Sequence, residues 1–273
     1  MNTYKSPAKV NLNLKVLGRR EDGFHEVETL MARIDLADTM HFEKADEFQI
    51  ICDYPGVPLD EKNLVWQAVS ALEERTDKKF NYRITIEKVI PHGAGLAGGS
   101  SNAATALSAI NEIENLGLSL DELADIASEF GSDIAFFLYQ STCICKGRGE
   151  KIELVDIELG NEVLLVKPSF GVSTPQAYKA WKDSREIKGI DYSSSVQKWG
   201  EMVNHLERPV FEKHRFLAEL KMWLNEQSEV ARAMMSGSGS TVFALLKDGA
   251  EGLEKRVLEA LDDTLFVCKA RLL

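Results

Sequence analysis

The sequence predicts a mixture of strands and helices, and three stretches carry that reading. Residues Ser6 to Leu17 alternate apolar and polar side chains, the period of a half-buried strand. Residues 91–104 read Pro-His-Gly-Ala-Gly-Leu-Ala-Gly-Gly-Ser-Ser-Asn-Ala-Ala, a glycine loop that runs into an alanine-rich helix. Further on, Ser236-Gly237-Ser238-Gly239 is a second glycine turn that enters an apolar strand.

The elements follow in order. In the first strand Val10, Leu12, Leu14 and Val16 share one face, and Lys9, Asn11, Asn13 and Lys15 share the other. The Asn13 and Lys15 side chains read as a solvated face. Gly18 to Thr29 is a loop opening a strand that runs to about Ile34. Asp38 to Cys52 reads as two strands about a turn near Lys44 to Glu47. Leu64 to Arg75 is an amphipathic helix with Leu64, Ala68 and Leu72 on one stripe, and Asn63 stands where a cap belongs. Tyr82 to Val89 is a strand feeding the glycine loop. Lys88 at its end either reaches toward a ligand of that loop or is an exposed strand-end lysine.

Ser101 to Leu116 reads as the helix after the loop, stopped by Gly117. Ser119-Leu120-Asp121-Glu122 is a capping box that opens a helix to about Phe130. Asp133 then precedes an apolar run, where an unpaired carboxylate is costly. It either caps a short helix or faces a site and a cation. Thr142 to Cys145 and Glu150 to Leu154 are strands around Lys146 to Gly149, and Glu162 to Val166 is another. A domain boundary near Asp156 to Gly160 divides the chain into 1–157 and 158–273. Beyond a turn at Thr174, Tyr178 and Trp181 are either core residues of a helix or part of a site. Val196 to Leu206 and His214 to Gln227 read as helices, Gly249 to Asp262 as another, and Thr264 to Leu272 as a final strand.

The 273 residues fit one large or two modest domains, and 44% hydrophobic content supplies a sizeable core. A net charge of −11 argues against general nucleic-acid binding. It also requires any anionic substrate to be held by local groups. Cys52, Cys143, Cys145 and Cys268 form no zinc spacing and read as reduced thiols of a cytoplasmic protein. No stretch has the length of a membrane span, and the N-terminus lacks a signal-peptide layout.

The glycine loop has the makings of an anion site. Glycine admits positive φ and close approach of a ligand. The first N–H groups of the following helix lack intrahelical partners and stand at the positive end of its dipole. Pro91, Gly93, Ala94, Gly95, Leu96, Ala97, Gly98, Gly99, Ser100 and Ser101 are therefore assigned to a polyphosphate cradle. The stretch satisfies G-x-G-x-x-G, yet no acidic residue stands at a second strand's end as a dinucleotide fold requires. No Walker lysine lies in it, and the protein-kinase triplets are missing.

Pro-x-Gly-x-Gly-Leu-x-Gly-Gly-Ser-Ser-x-Ala resembles the ATP loop of the GHMP small-molecule kinases. Within them, Ser-Pro-Ala-Lys-Val-Asn-Leu at Ser6 to Leu12 and Arg-x-Asp-Gly-Phe-His at Arg20 to His25 resemble the kinases acting on 4-diphosphocytidyl-2-C-methyl-D-erythritol, in non-mevalonate isoprenoid synthesis. The resemblance implies a fold of the α+β class with two domains, ribosomal S5 domain 2-like then ferredoxin-like, with ATP and Mg²⁺ bound between them; the mixture of strands and helices fits it. It implies that Lys9 and Asn11 face the acceptor and the transferred phosphate, and that Asp133 is catalytic. Phe24 and Tyr178 would stack on cytosine, His25 would read its edge, and Thr174 would lie nearby. Asn63, Leu64 and Lys88 would approach the nucleotide, Ser236 to Gly239 would close the phosphate site, and Ser100 or Ser101 would ligate Mg²⁺. Ala135 stands where most members carry proline. The resemblance leaves a monomer and a homodimer equally open. Another GHMP kinase and a silent nucleotide sensor are the competing readings.

Overall fold

A computed structural model describes residues 1–273. The first sheet is built on two long antiparallel strands, β1 (Asn2–Arg19) and β2 (His25–Lys44), joined by the Arg20–Phe24 loop. Sequence alone breaks β2 into two pieces, at Ile34 and Asp38. It is one strand of 20 residues, because β1 pairs with it along nearly its whole length and covers the polar interruptions. Register shifts occur between Pro7 and Lys9 and between Asn11 and Asn13. Such bulges re-aim side chains, and they fall on the stretch that carries Lys9 and Asn11. Asn13 is not simply solvated, since its Oδ1 accepts the Leu30 N–H at 2.8 Å.

β3 (Gln49–Ile51), β4 (Tyr82–Glu87), β5 (Cys143–Gly147) and β6 (Lys151–Leu154) complete this sheet in the order β3-β4-β2-β5-β6, with β1 on the far edge of β2. Its outer face is covered by α1 (Leu64–Thr76), α2 (Gly98–Ile113), α3 (Leu120–Ser128) and α4 (Ile134–Leu138). Local signals hold here: the Asn63 side chain caps α1 through Val65 N–H, and Ser119 and Glu122 form the capping box of α3. The α2 helix starts three residues before Ser101, at Gly98.

The second sheet contains β7 (Glu162–Lys167), β10 (Val230–Met235), β11 (Val242–Leu246) and β12 (Phe266–Arg271), in the order β10-β11-β7-β12. With intervening helices α6 (Glu207–Lys213), α7 (Arg215–Asn225) and α8 (Leu253–Ala260), this is the ferredoxin-like βαββαβ arrangement. Val163 and Leu165 of β7 pack toward the first sheet, and Leu164 and Val166 pack toward the helices. That two-sided burial explains the unbroken apolar run of the strand.

The expected helix at Val196 to Leu206 is instead a small hairpin, β8 (Ser195–Gln197) and β9 (Gly200–Met202). Gly200 takes φ +109° at the turn, a conformation that favours glycine and interrupts a helix. Past it, the backbone at Val203 and His205 bonds to Leu14 of β1 at 2.7 and 2.9 Å, leaving no helix until Glu207. A short helix α5 (Thr174–Ala180), with proline in its first turn, stands beside the junction of the two sheets.

Candidate active site

The glycine loop lies between the sheets and is tied to both. Lys9 N–H donates to Leu96 O at 3.1 Å from β1, and Thr241 N–H donates to Ala94 O at 3.1 Å from the mouth of β11. Ser236 Oγ donates to Gly95 O at 3.0 Å. A side chain at Gly95 has no room, because a Cβ there would lie 2.3 Å from Ser236 O. Behind the loop, α2 is pinned by buried polar groups. Asn102 Nδ2 donates to Ser6 Oγ at 2.8 Å and to Asp38 Oδ2 at 3.0 Å. The Asp38 carboxylate, wholly buried, also accepts from the Lys88 ammonium and from Val89 and Ile90 N–H. No side chain caps the N-terminus of α2, so its first N–H groups face the cleft free of protein acceptors.

This cleft encloses about 350 Å³. Lys9, Asn11, Asn63, Leu64, Lys88, Pro91, Gly93, Ala94, Gly95, Ala97, Gly98, Gly99, Ser100, Asp133, Thr174, Tyr178, Gly237 and Ser238 line it, all nominated from sequence. Leu96 does not, because its side chain is wholly buried in the core between the sheets. Ser101 is also buried, and its Oγ accepts from Ser6 Oγ at 2.8 Å, which turns it from the cleft. Ser236 and Gly239 stand behind the surface and shape the loop. The Lys88 ammonium faces the cleft but is committed to Asp38 and Asn102.

At the centre, Lys9 Nζ lies 2.6 Å from Asn11 Oδ1 and 3.5 Å from Asp133 Oδ2. Asn11 Nδ2 donates to Thr29 Oγ1 at 2.8 Å, and Thr29 donates to Asn13 O. This chain of bonds fixes the amide so that its oxygen faces the ammonium. Lys9 is nearly buried, while a third of the Asp133 side chain remains exposed. Asp133 occupies the residue before α4 but makes no capping bond. Of the two roles open to it from sequence, the geometry favours a carboxylate facing a cation.

Asp133 is the only acidic residue on the cleft wall, against Lys9, Lys62, Lys88 and Arg148. A protein of net charge −11 thus presents a locally positive cleft. Lys62 and Arg148 were not singled out from sequence. Arg148 sits in the turn between β5 and β6, with its guanidinium 5.0 Å from the centre of the Phe24 ring. A turn arginine carries no local sign of what it faces. Phe24 itself is 52% exposed. His25 packs on Tyr178 with ring centres 5.4 Å apart and on Trp181 at 6.2 Å. Burial, then Arg19, lowers the His25 pKa below its ordinary 6.5, favouring the neutral ring. Burial raises the Tyr178 phenol, and Asp133 adds to that. Thr174 and Ser238 share a hydroxyl bond of 2.7 Å on the cleft wall.

No three His, Cys, Asp or Glu side chains cluster to chelate a metal. Among the oxygen side chains facing the cleft are the Ser100 hydroxyl, beside the phosphate loop, and the Asp133 carboxylate, the one carboxylate there. That sparse set suits Mg²⁺, which usually keeps water and substrate phosphates among its ligands. No helix is long and apolar enough to cross a membrane.

Comparison with known proteins agrees with this geometry. The family described as "GHMP kinases N terminal domain" matches residues 63–141, and "GHMP kinases C terminal" matches 188–263. The 4-diphosphocytidyl-2-C-methyl-D-erythritol kinase of Listeria monocytogenes serotype 4b (strain CLIP80459) is 45% identical over 269 residues, covering 94% of this chain and 90% of the relative. The Bacillus cereus (strain B4264) protein of the same name is 43% identical over 255 residues, covering 89% and 87%. A crystal structure of a 4-(cytidine 5'-diphospho)-2C-methyl-D-erythritol kinase is similar with a TM-score of 0.79 at 31% identity over 99% of both chains.

Proposed function

The chain belongs to the GHMP kinases and, within them, to the 4-diphosphocytidyl-2-C-methyl-D-erythritol kinases, and on that premise we propose how its residues divide the work. The reaction is transfer of the ATP γ-phosphoryl to the 2-hydroxyl of 4-diphosphocytidyl-2-C-methyl-D-erythritol. The observation that carries the assignment is the Lys9–Asp133 pair in one cleft with the uncapped N-terminus of α2.

ATP lies with its phosphates on the amides of Gly93 to Gly99 and the first turn of α2, and its base toward Asn63 and Leu64. Phosphoryl transfer is mostly positioning and charge stabilisation. Lys9, held by Asn11, stabilises the charge that develops on the transferred group. Asp133 orients the acceptor hydroxyl and takes its proton. Mg²⁺ bound to the ATP phosphates would supply charge neutralisation, with Ser100 as its protein hydroxyl. Cytosine enters beside the His25–Tyr178 pair, toward Phe24, and Arg148 answers the substrate's diphosphate on that side. Residues 1–157 and 158–273 are the two units that meet here, in a cytoplasmic enzyme.

The test is coupled ADP release with ATP, Mg²⁺ and 4-diphosphocytidyl-2-C-methyl-D-erythritol, run beside homoserine, galactose and mevalonate. Turnover with the cytidyl substrate alone is expected. Turnover with another acceptor would discard the cytosine site. ATP binding without turnover on any of them would leave a nucleotide sensor.

A further inference from the structure

Asn204 lies outside the cleft wall, yet it reaches the loop that closes it. The residue is 4% exposed. Both protons of its amide are used: Nδ2 donates to Met235 O at 2.7 Å and to Gly237 O at 2.8 Å. Its Oδ1 accepts the Leu206 N–H at 2.9 Å. Its neighbours Val203 and His205 bond to both polar groups of Leu14, on the strand that carries Lys9 and Asn11. One turn on, Glu207 Oε1 accepts the Met235 N–H at 2.9 Å, and its other oxygen bonds Lys221 at 2.6 Å. Asn204 and Glu207 therefore hold both sides of Met235, and Asn204 alone holds Gly237.

The peptide from Gly237 to Ser238 is trans, so its N–H points opposite to its carbonyl. Asn204 fixes the carbonyl on the buried side and so aims the Ser238 N–H the other way. Neither Gly237 N–H nor Ser238 N–H has an acceptor within the protein, and both residues line the cleft. Gly237 is at φ +56°. Successive free amides about a positive φ form an anion-binding nest. This one adjoins the reaction centre, since a Cβ at Gly237 would lie 3.2 Å from Asn11 Oδ1 and 3.5 Å from Lys9 Nζ.

We propose that Asn204 is a positioning residue for phosphoryl transfer, fixing the Gly237–Ser238 peptide so that the Ser238 N–H, together with the neighbouring Gly237 N–H, holds the transferred phosphoryl group beside Lys9. The proposal rests on the kinase reading of the cleft. A donor set placed at the moving group acts on turnover more than on ground-state binding.

The test compares wild type, Asn204→Ser and Asn204→Asp in steady-state turnover, ATP affinity and thermal unfolding. A misplaced peptide is expected to lower kcat about 100-fold while KM for ATP and for the acceptor each stay within about threefold. A folded variant with kcat within twofold of wild type overturns the proposal. So does a variant that loses ATP affinity and melting temperature with kcat unchanged, the pattern of a purely structural role. A measurement on the wild-type protein decides the matter if neither variant folds. The amide resonances of Gly237 and Ser238 should shift when a non-hydrolysable ATP analogue replaces ADP, and unchanged resonances overturn the proposal. Wild-type protein silent toward the cytidyl acceptor would count against the kinase reading alone, because the amide shifts still report the nest.

Discussion

Lys9 Nζ and Asp133 Oδ2 stand 3.5 Å apart, one on a nearly buried strand and the other at the foot of a short helix with its carboxylate part-exposed. In the proposed mechanism the pair joins charge stabilisation and proton acceptance in one place. Asp133→Asn keeps the shape but removes the proposed proton acceptor. It should lower kcat at least about 100-fold, with KM for both substrates little changed. Steady-state kinetics with the cytidyl acceptor checks this, and near-wild-type turnover would take Asp133 out of the chemistry.

Lys88 was open to two readings, and its ammonium bonds a carboxylate that has no exposure at all. Lys88→Met would leave Asp38 buried with only neutral donors. Such a break costs about 3–5 kcal/mol, so the urea midpoint should fall sharply. Unchanged stability with a raised KM for ATP would instead make Lys88 a nucleotide ligand.

Two loop glycines separate conformational strain from contact. Gly93 has φ +63° with open space around it, and Gly95 has φ +75° with Ser236 O in the way. Gly93→Ala should cost about 1–2 kcal/mol, the strain of a left-handed residue. Gly95→Ala should cost more and weaken ATP binding, because Ser236 and the loop must part. Denaturant unfolding and nucleotide titration of the two proteins give the comparison; equal effects would refute it.

Burial lowers the pKa of His25, His205 and His214 below 6.5. The unfolded chain then binds protons that the folded chain refuses. Their contribution is present above pH 6.5 and is lost as pH falls through the lowered values. Melting temperature should therefore drop between pH 7 and pH 5, and the drop should shrink in a His205→Gln protein, where the half-buried ring is gone.

Much of this was legible because it is local. The glycine loop, the Asn63 cap, the Ser119 capping box and the alternation around Lys9 are each written within a dozen residues. What escaped was long-range or depended on partners. Asp38 meets Lys88 across fifty residues of sequence, and no pattern near either announces it. Asn204 lies inside Val196 to Leu206, a stretch read as helix, so its tie to Gly237 was invisible. Ser101 was a candidate ligand by its place in a motif, but Ser6 of β1 claims its hydroxyl. His25 and Tyr178 were nominated from separate segments for one site; their rings do meet, but Tyr178 alone lines the cleft, and the contact depends on how α5 docks.

The first strand has one more implication. Val10 and Leu12 pack in the core between the sheets, and Leu14 and Val16 pack in the core under the C-terminal helices. About 20 Å of continuous strand thus runs through both cores, with Lys9 and Asn11 on its other face, toward the cleft. A fragment ending near Asp156 would expose Leu14, Val16 and Val27 as a bare apolar edge. The two halves should accordingly behave as one cooperative unit, melting in a single calorimetric transition and failing to reassemble from separately made fragments.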